Sequence, residues 1–157
     1  MPPLLQPVAH SLLQCREEVD AKLSTLDAPR LVARPAGAAS VAFHLTHAMG
    51  SLDRLLTYAR GEQLSDAQLV ALRAESGVEA VPQDAAALAK RFGEAVERAL
   101  VQVRGTSESA LLDRREVGRG RLPSTAIGLL FHAAEHTQRH VGQAVTTARI
   151  VAGMVTQ

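Results

Sequence analysis

The chain has 157 residues, a length that suits one compact domain whose core needs no disulfide support. Hydrophobic residues make up 46% and charged residues 21%, and the net charge of +1 gives no broad basic face for nucleic acid or an anionic membrane. Aromatics are only 3%, without tryptophan, which favours close-packed helices over a sheet.

Met1-Pro2-Pro3-Leu4-Leu5 lacks the basic segment and apolar run of a signal peptide. The first long helix is expected from about Val8 to Leu26, with Leu12, Val19, Leu23 and Leu26 on one stripe. Cys15, the sole cysteine, excludes an internal disulfide and reads as a small core residue. Asp27-Ala28-Pro29 ends this helix, and Pro35-Ala36-Gly37 belongs to the linker. Ser40 is placed to cap a second helix that continues to about Arg60, where Gly61 stops it. A short helix follows, because Ser65 and Gln68 have capping-box spacing, and Gly77 ends it. The third long helix starts after Pro82 and runs to about Val103, before Gly105. Residues 106–123 read as a long connection with a brief helical stretch and a basic, glycine-broken tail. In it Arg114, Arg115, Arg119 and Arg121 suit a solvated loop better than an anion-binding one. Pro123-Ser124-Thr125 opens the fourth helix, which lasts to about Val151. No stretch approaches the roughly 18 apolar residues of a membrane span, so a cytoplasmic protein is expected.

Five of the six histidines fall in two helical patches. On the fourth helix, Leu129, His132, His136, His140, Gln143 and Thr147 share a stripe roughly opposite the apolar row Ile127, Ala134, Val141 and Val145. That row can serve the core or a second subunit. On the second helix, His44, His47, Ser51, Arg54 and Tyr58 form a polar strip beside the apolar face Val41, Ala48, Leu52, Leu55 and Ala59. His136 and His140 stand one turn apart and can aim at one point. A histidine from the facing strip, His44 or His47, completes a three-nitrogen site with an open position. One helical histidine is ordinarily a surface or hydrogen-bonded core residue; the conjunction of an i, i+4 pair with a further patch points to metal. Imidazole suits zinc, nickel, copper or iron alike. The pair is not the zinc-protease motif, since Thr137, Gln138 and Arg139 stand between its members.

Two segments carry a family resemblance. Ser40-Val-Ala-Phe-His-Leu-Thr-His47 and Phe131-His-Ala-Ala-Glu-His-Thr-Gln-Arg-His-Val-Gly-Gln143 resemble the DinB-like (DinB/YfiT-like) superfamily of metalloenzymes. The segment from Phe131 to Gln143 is similar to the last-helix pattern of that superfamily, H-x-x-x-H followed by x-G-Q. The resemblance implies an all-α four-helix bundle with up-down-down-up connections, which the long linkers permit. It places the metal ligands on His47, His136 and His140, leaving His44 and His132 as additional site-lining residues. Characterised members of that superfamily include thiol-dependent transferases and isomerases that use a low-molecular-weight thiol with zinc or a related divalent ion, and many others have no known activity.

The sequence expectation is therefore one all-α domain over residues 1–157, with a divalent metal, zinc, nickel or similar, on His47, His136 and His140. His44, His132 and Gln143 would line or buttress the site, and Arg54 and Tyr58 would meet a small-molecule substrate farther along the cleft. The expected activity is a thiol S-transferase or a hydrolase in a homodimer. The competing expectation is a non-enzymatic dimeric bundle with a structural metal or a polar histidine core.

Overall fold

The computed structural model describes residues 1–80 and 84–154. Its helices and strands are, in chain order, α1 (Gln6–Lys22), α2 (Ala28–Val32), α3 (Val41–Ala59), α4 (Asp66–Ala74), α5 (Ala85–Gly105), β1 (Arg114–Val117), β2 (Leu122–Thr125) and α6 (Ala126–Met154). A 3₁₀ helix over Glu75–Ala80 continues α4.

Most helix starts are chemical. The Ser40 hydroxyl accepts the Phe43 N–H at 3.1 Å, as expected of an N-cap. Ser65 and Gln68 make both halves of a capping box, at 3.2 and 2.9 Å. Asp84 caps α5 by accepting from the Ala87 N–H at 2.6 Å, whereas Pro82, the expected start signal, lies outside the described residues. Three details depart from the sequence reading. Helix α1 ends at Lys22 rather than Leu26. Asp27 accepts the Arg30 N–H at 2.9 Å and starts α2, with Pro29 in its first turn, so the segment read as a stop is also a start. Pro123-Ser124-Thr125 belongs to β2, which pairs antiparallel with β1 in a hairpin. Thr125 then caps α6 by accepting the Gly128 N–H at 3.1 Å.

Side-chain contacts fix the helix directions. Ser11 of α1 bonds Gln138 of α6, and a cleft farther along joins Gln14 and Glu18 to Gln138 and Gly142, so these helices are parallel. Helix α3 runs antiparallel to α6, with His44 opposite His140 and His47 opposite His136. Gln102, near the end of α5, donates to the Leu56 carbonyl near the end of α3 at 2.9 Å, so α3 and α5 are parallel. The bundle is up-down-down-up.

A parallel α3–α5 pair needs a crossover that returns the length of α3. Helix α4 and the 3₁₀ segment are that crossover. Gln68 bonds Asp53 and Thr57, Glu75 reaches Arg54 and His47, and Glu79 reaches Ser40, so the segment climbs back along α3 turn by turn.

The core lies inside the four long helices, where Phe92, Leu12, Leu45, Leu52, Leu100 and Leu129 are almost completely buried. Each such side chain stabilises the fold by about 1.5–3 kcal/mol. Ala134, Val141 and Val145 of the apolar row on α6 are in this core and Ile127 packs against it. That row is therefore used largely within the chain.

Candidate metal centre

The antiparallel register of α3 on α6 turns two histidine patches into one cluster. His47 Nε2 lies 3.1 Å from His136 Nε2, and His44 Nδ1 lies 3.1 Å from His140 Nδ1. The His140 ring is 4.5 Å from that of His47 and 4.6 Å from that of His136, centre to centre. One nitrogen each of His47, His136 and His140 falls within 4.8 Å of the others. Two imidazole nitrogens on one tetrahedral zinc are about 3.3 Å apart, so the His47–His136 spacing suits a shared ion.

Burial sets the charge of these rings. It is the chief cause that holds His140 down at about 4, with the nearby His47, His136, His44 and Arg139 adding to the effect. His44 and His136 are also lowered, chiefly by burial and then by His47. All three are therefore neutral near pH 7 and keep a lone pair on one nitrogen.

Glu75, which the sequence reading did not single out, is the strongest partner in the cluster. Its Oε2 accepts from His47 Nδ1 at 2.7 Å. A carboxylate only accepts, so Nδ1 carries a proton, and in the neutral ring Nε2 keeps the lone pair. Glu75 Oε1 accepts from Arg54 at 2.5 Å, and Arg54 also donates to Ser51 at 3.1 Å. The Glu75 side chain is 7% exposed and that of Arg54 11%. Burial raises the Glu75 carboxyl, but hydrogen bonds from His47 and Arg54 outweigh it and hold it below the usual carboxylate range. Gly50 makes this approach possible, because a Cβ there would collide with the Glu75 carboxylate and stand 2.7 Å from an Arg54 nitrogen.

The remaining expected residues are placed differently. His132 is exposed at the rim, its Nδ1 2.6 Å from Glu135 on its own helix, with its ring 5.6 Å from that of His136. Gln143 is exposed and makes no side-chain hydrogen bond among the described residues. Arg54 does not face an open cleft: the crossover covers it, and Glu75 and Ser51 occupy its guanidinium. Tyr58 packs half-buried against the core. The arginine-rich hairpin lies at the other end of α3, where Arg115 Nε donates to the Ala59 carbonyl at 2.8 Å, about 18 Å of helix rise from His47. Phe43, also not anticipated, flanks the site with its ring parallel to that of His47 at 5.6 Å.

A family model described as the DinB superfamily matches residues 11–144. A solved structure, titled as that of a conserved protein from Enterococcus faecalis, has the same fold at a TM-score of 0.78 with 19% identity, covering 98% of this chain and 99% of that one. No curated protein matches the chain.

Proposed function

We propose that this chain, which belongs to the DinB superfamily, is a single-domain metal-dependent enzyme holding a divalent ion on His47, His136 and His140. The convergence of those three nitrogens within 4.8 Å carries the reading. The donor set fits such an ion: His136 and His140 are held neutral by burial, and a carboxylate backs His47, the usual outer partner of a ligating imidazole. His136 must adjust. An Arg139 nitrogen stands 3.1 Å from His136 Nδ1 and donates to it, which places the His136 proton on Nε2. Ligation through Nε2 requires that proton on Nδ1 and Arg139 turned away.

A divalent ion there would supply Lewis acidity to ionise a thiol or water that reached it. Three protein nitrogens leave a position for that molecule. The residues do the rest. His44 faces His140 Nδ1 from its buried position and steadies that ring. The Phe43 ring stacks alongside that of His47. Cys15 is buried and its thiol pushed up to about 12, chiefly by burial, so it supplies no nucleophile. A thiol-dependent transfer would thus take its thiol from a small cosubstrate; a hydrolase would need none. The proposal extends to zinc or nickel as the ion, a cytoplasmic setting and a homodimer. Among the described residues no helix is long and apolar enough to cross a membrane. Phe131, Ile150 and Met154 are the exposed apolar side chains of α6 available to a partner copy.

The short contacts favour an alternative reading as well. His136 Nε2–H donating to His47 Nε2, with Glu75 and Arg139 at either end, is a complete hydrogen-bond chain without an ion. Elemental analysis separates the two. Near-stoichiometric metal, lost in a His136→Ala/His140→Ala variant, supports the metal centre. A protein that takes up no zinc or nickel when offered either is a polar histidine core. Turnover with small thiols and electrophiles, or with hydrolysable esters and amides, then decides the reaction.

A further inference from the structure

We propose that Glu75, carried by the crossover rather than by either histidine helix, is the positioning residue that makes His47 Nε2 the ligand atom from α3. The inference rests on the metal reading above.

Three observations carry it. The carboxylate divides its oxygens, with Oε2 on His47 Nδ1 and Oε1 on Arg54, so neither can be released without leaving a buried polar group unpaired. Arg54 reaches on to Ser51, whose hydroxyl lies 3.2 Å from His47 Nε2 and would turn aside when an ion takes that lone pair, so one connected set spans both ring nitrogens. Gly50 leaves space on α3 where any larger residue would push the carboxylate away. A simple ion pair pinning the crossover would need Arg54 and Glu75 alone. The contact at His47 fixes which ring nitrogen holds the proton, and so which one can bind an ion. Among the described residues no carboxylate meets the His44 ring, whose partner is His140. This asymmetry distinguishes His47 from His44 as the ligand on α3.

Glu75→Gln tests the idea sharply. Glutamine has one acceptor oxygen, which the cationic Arg54 will claim, leaving the amide NH₂ to face His47 Nδ1. His47 must then accept at Nδ1 and move its proton to Nε2, the tautomer that cannot ligate there. In metal-free protein at mildly alkaline pH, ¹⁵N NMR of the His47 ring should show Nδ1–H in the native chain and Nε2–H in Glu75→Gln. Zinc affinity, read by chelator competition, should fall about 10- to 100-fold in the variant. Glu79→Gln is the control, because Glu79 ties the same crossover to Ser40 without touching a histidine. It should leave the tautomer and the zinc affinity unchanged.

An Nε2–H tautomer in the native metal-free protein overturns the proposal without any variant. Native protein that binds zinc while Glu75→Gln binds it within twofold as tightly overturns the role of Glu75 and leaves the metal centre standing. An equal loss in Glu79→Gln would reduce the effect to crossover docking and also overturn it. Native protein that takes up no zinc removes the metal centre and the positioning role together.

Discussion

Gly50→Ala should destabilise the protein, although alanine is the better helix former by about 0.8–1 kcal/mol in a helix interior. The added Cβ would overlap the Glu75 carboxylate and stand 2.7 Å from an Arg54 nitrogen, so the carboxylate must withdraw. Each of its two hydrogen bonds involves a charged group and contributes about 1.5–3 kcal/mol. Losing one leaves a net cost of about 0.5–2 kcal/mol after the propensity gain, and losing both about 2–5 kcal/mol. Gly142 of α6 provides the opposite case, since a Cβ there meets nothing within 4 Å. Gly142→Ala should therefore stabilise by up to about 1 kcal/mol. Urea denaturation of metal-free protein, read by circular dichroism, measures both. If Gly50→Ala is as stable as the native chain or more so, the crossover does not press Glu75 onto this face of α3 and the reasoning fails.

Other outcomes follow from the same arrangement. Arg54→Met keeps much of the side-chain bulk but strands the Glu75 carboxylate in a buried place, and should cost about 3–5 kcal/mol in the same denaturation assay. The metal-free fold should weaken as pH falls from about 6.5 towards 4. His140, His44 and His136 have lowered values when folded, so the unfolded chain binds their protons first. Stability is complete above the ordinary histidine value and is lost below it, by up to about 1.4 kcal/mol per pH unit for each histidine, and a flat profile across that window would contradict the buried, neutral rings. Cys15 should resist an aromatic disulfide reagent in the native protein and react within seconds in denaturant, because its thiol is buried and held protonated.

The four long helices were legible because each carries its own signals. Ser40 and the Ser65–Gln68 box form the caps that their residue types announced, and the apolar row on α6 entered the core. The two histidine strips were legible from a 100° step per residue, and they do face one another. What escaped was non-local. The hairpin strands are four residues each and bear arginine, glutamate and proline, so no alternation marks them. Its turn takes left-handed backbone at Gly118 and Arg121, and only the glycine hinted at that. Glu75 lay beyond any periodicity argument, because its meaning depends on the crossover returning along α3. The one available clue was topological: a chain returning past the histidine strip must lay some side chain on it. The same return explains Arg54, which the strip placed in a cleft and the crossover covers.

The central claim is that His47, His136 and His140 share one divalent ion. X-ray absorption at the zinc edge of zinc-loaded protein tests it most directly. One zinc per chain is expected, with three imidazole nitrogens at about 2.0–2.1 Å and a non-protein ligand such as water in the remaining position. One imidazole should also be lost from the spectrum in His47→Ala while His44→Ala keeps all three. Failure to take up zinc, or a first shell that loses its imidazole in His44→Ala and not in His47→Ala, would contradict the claim.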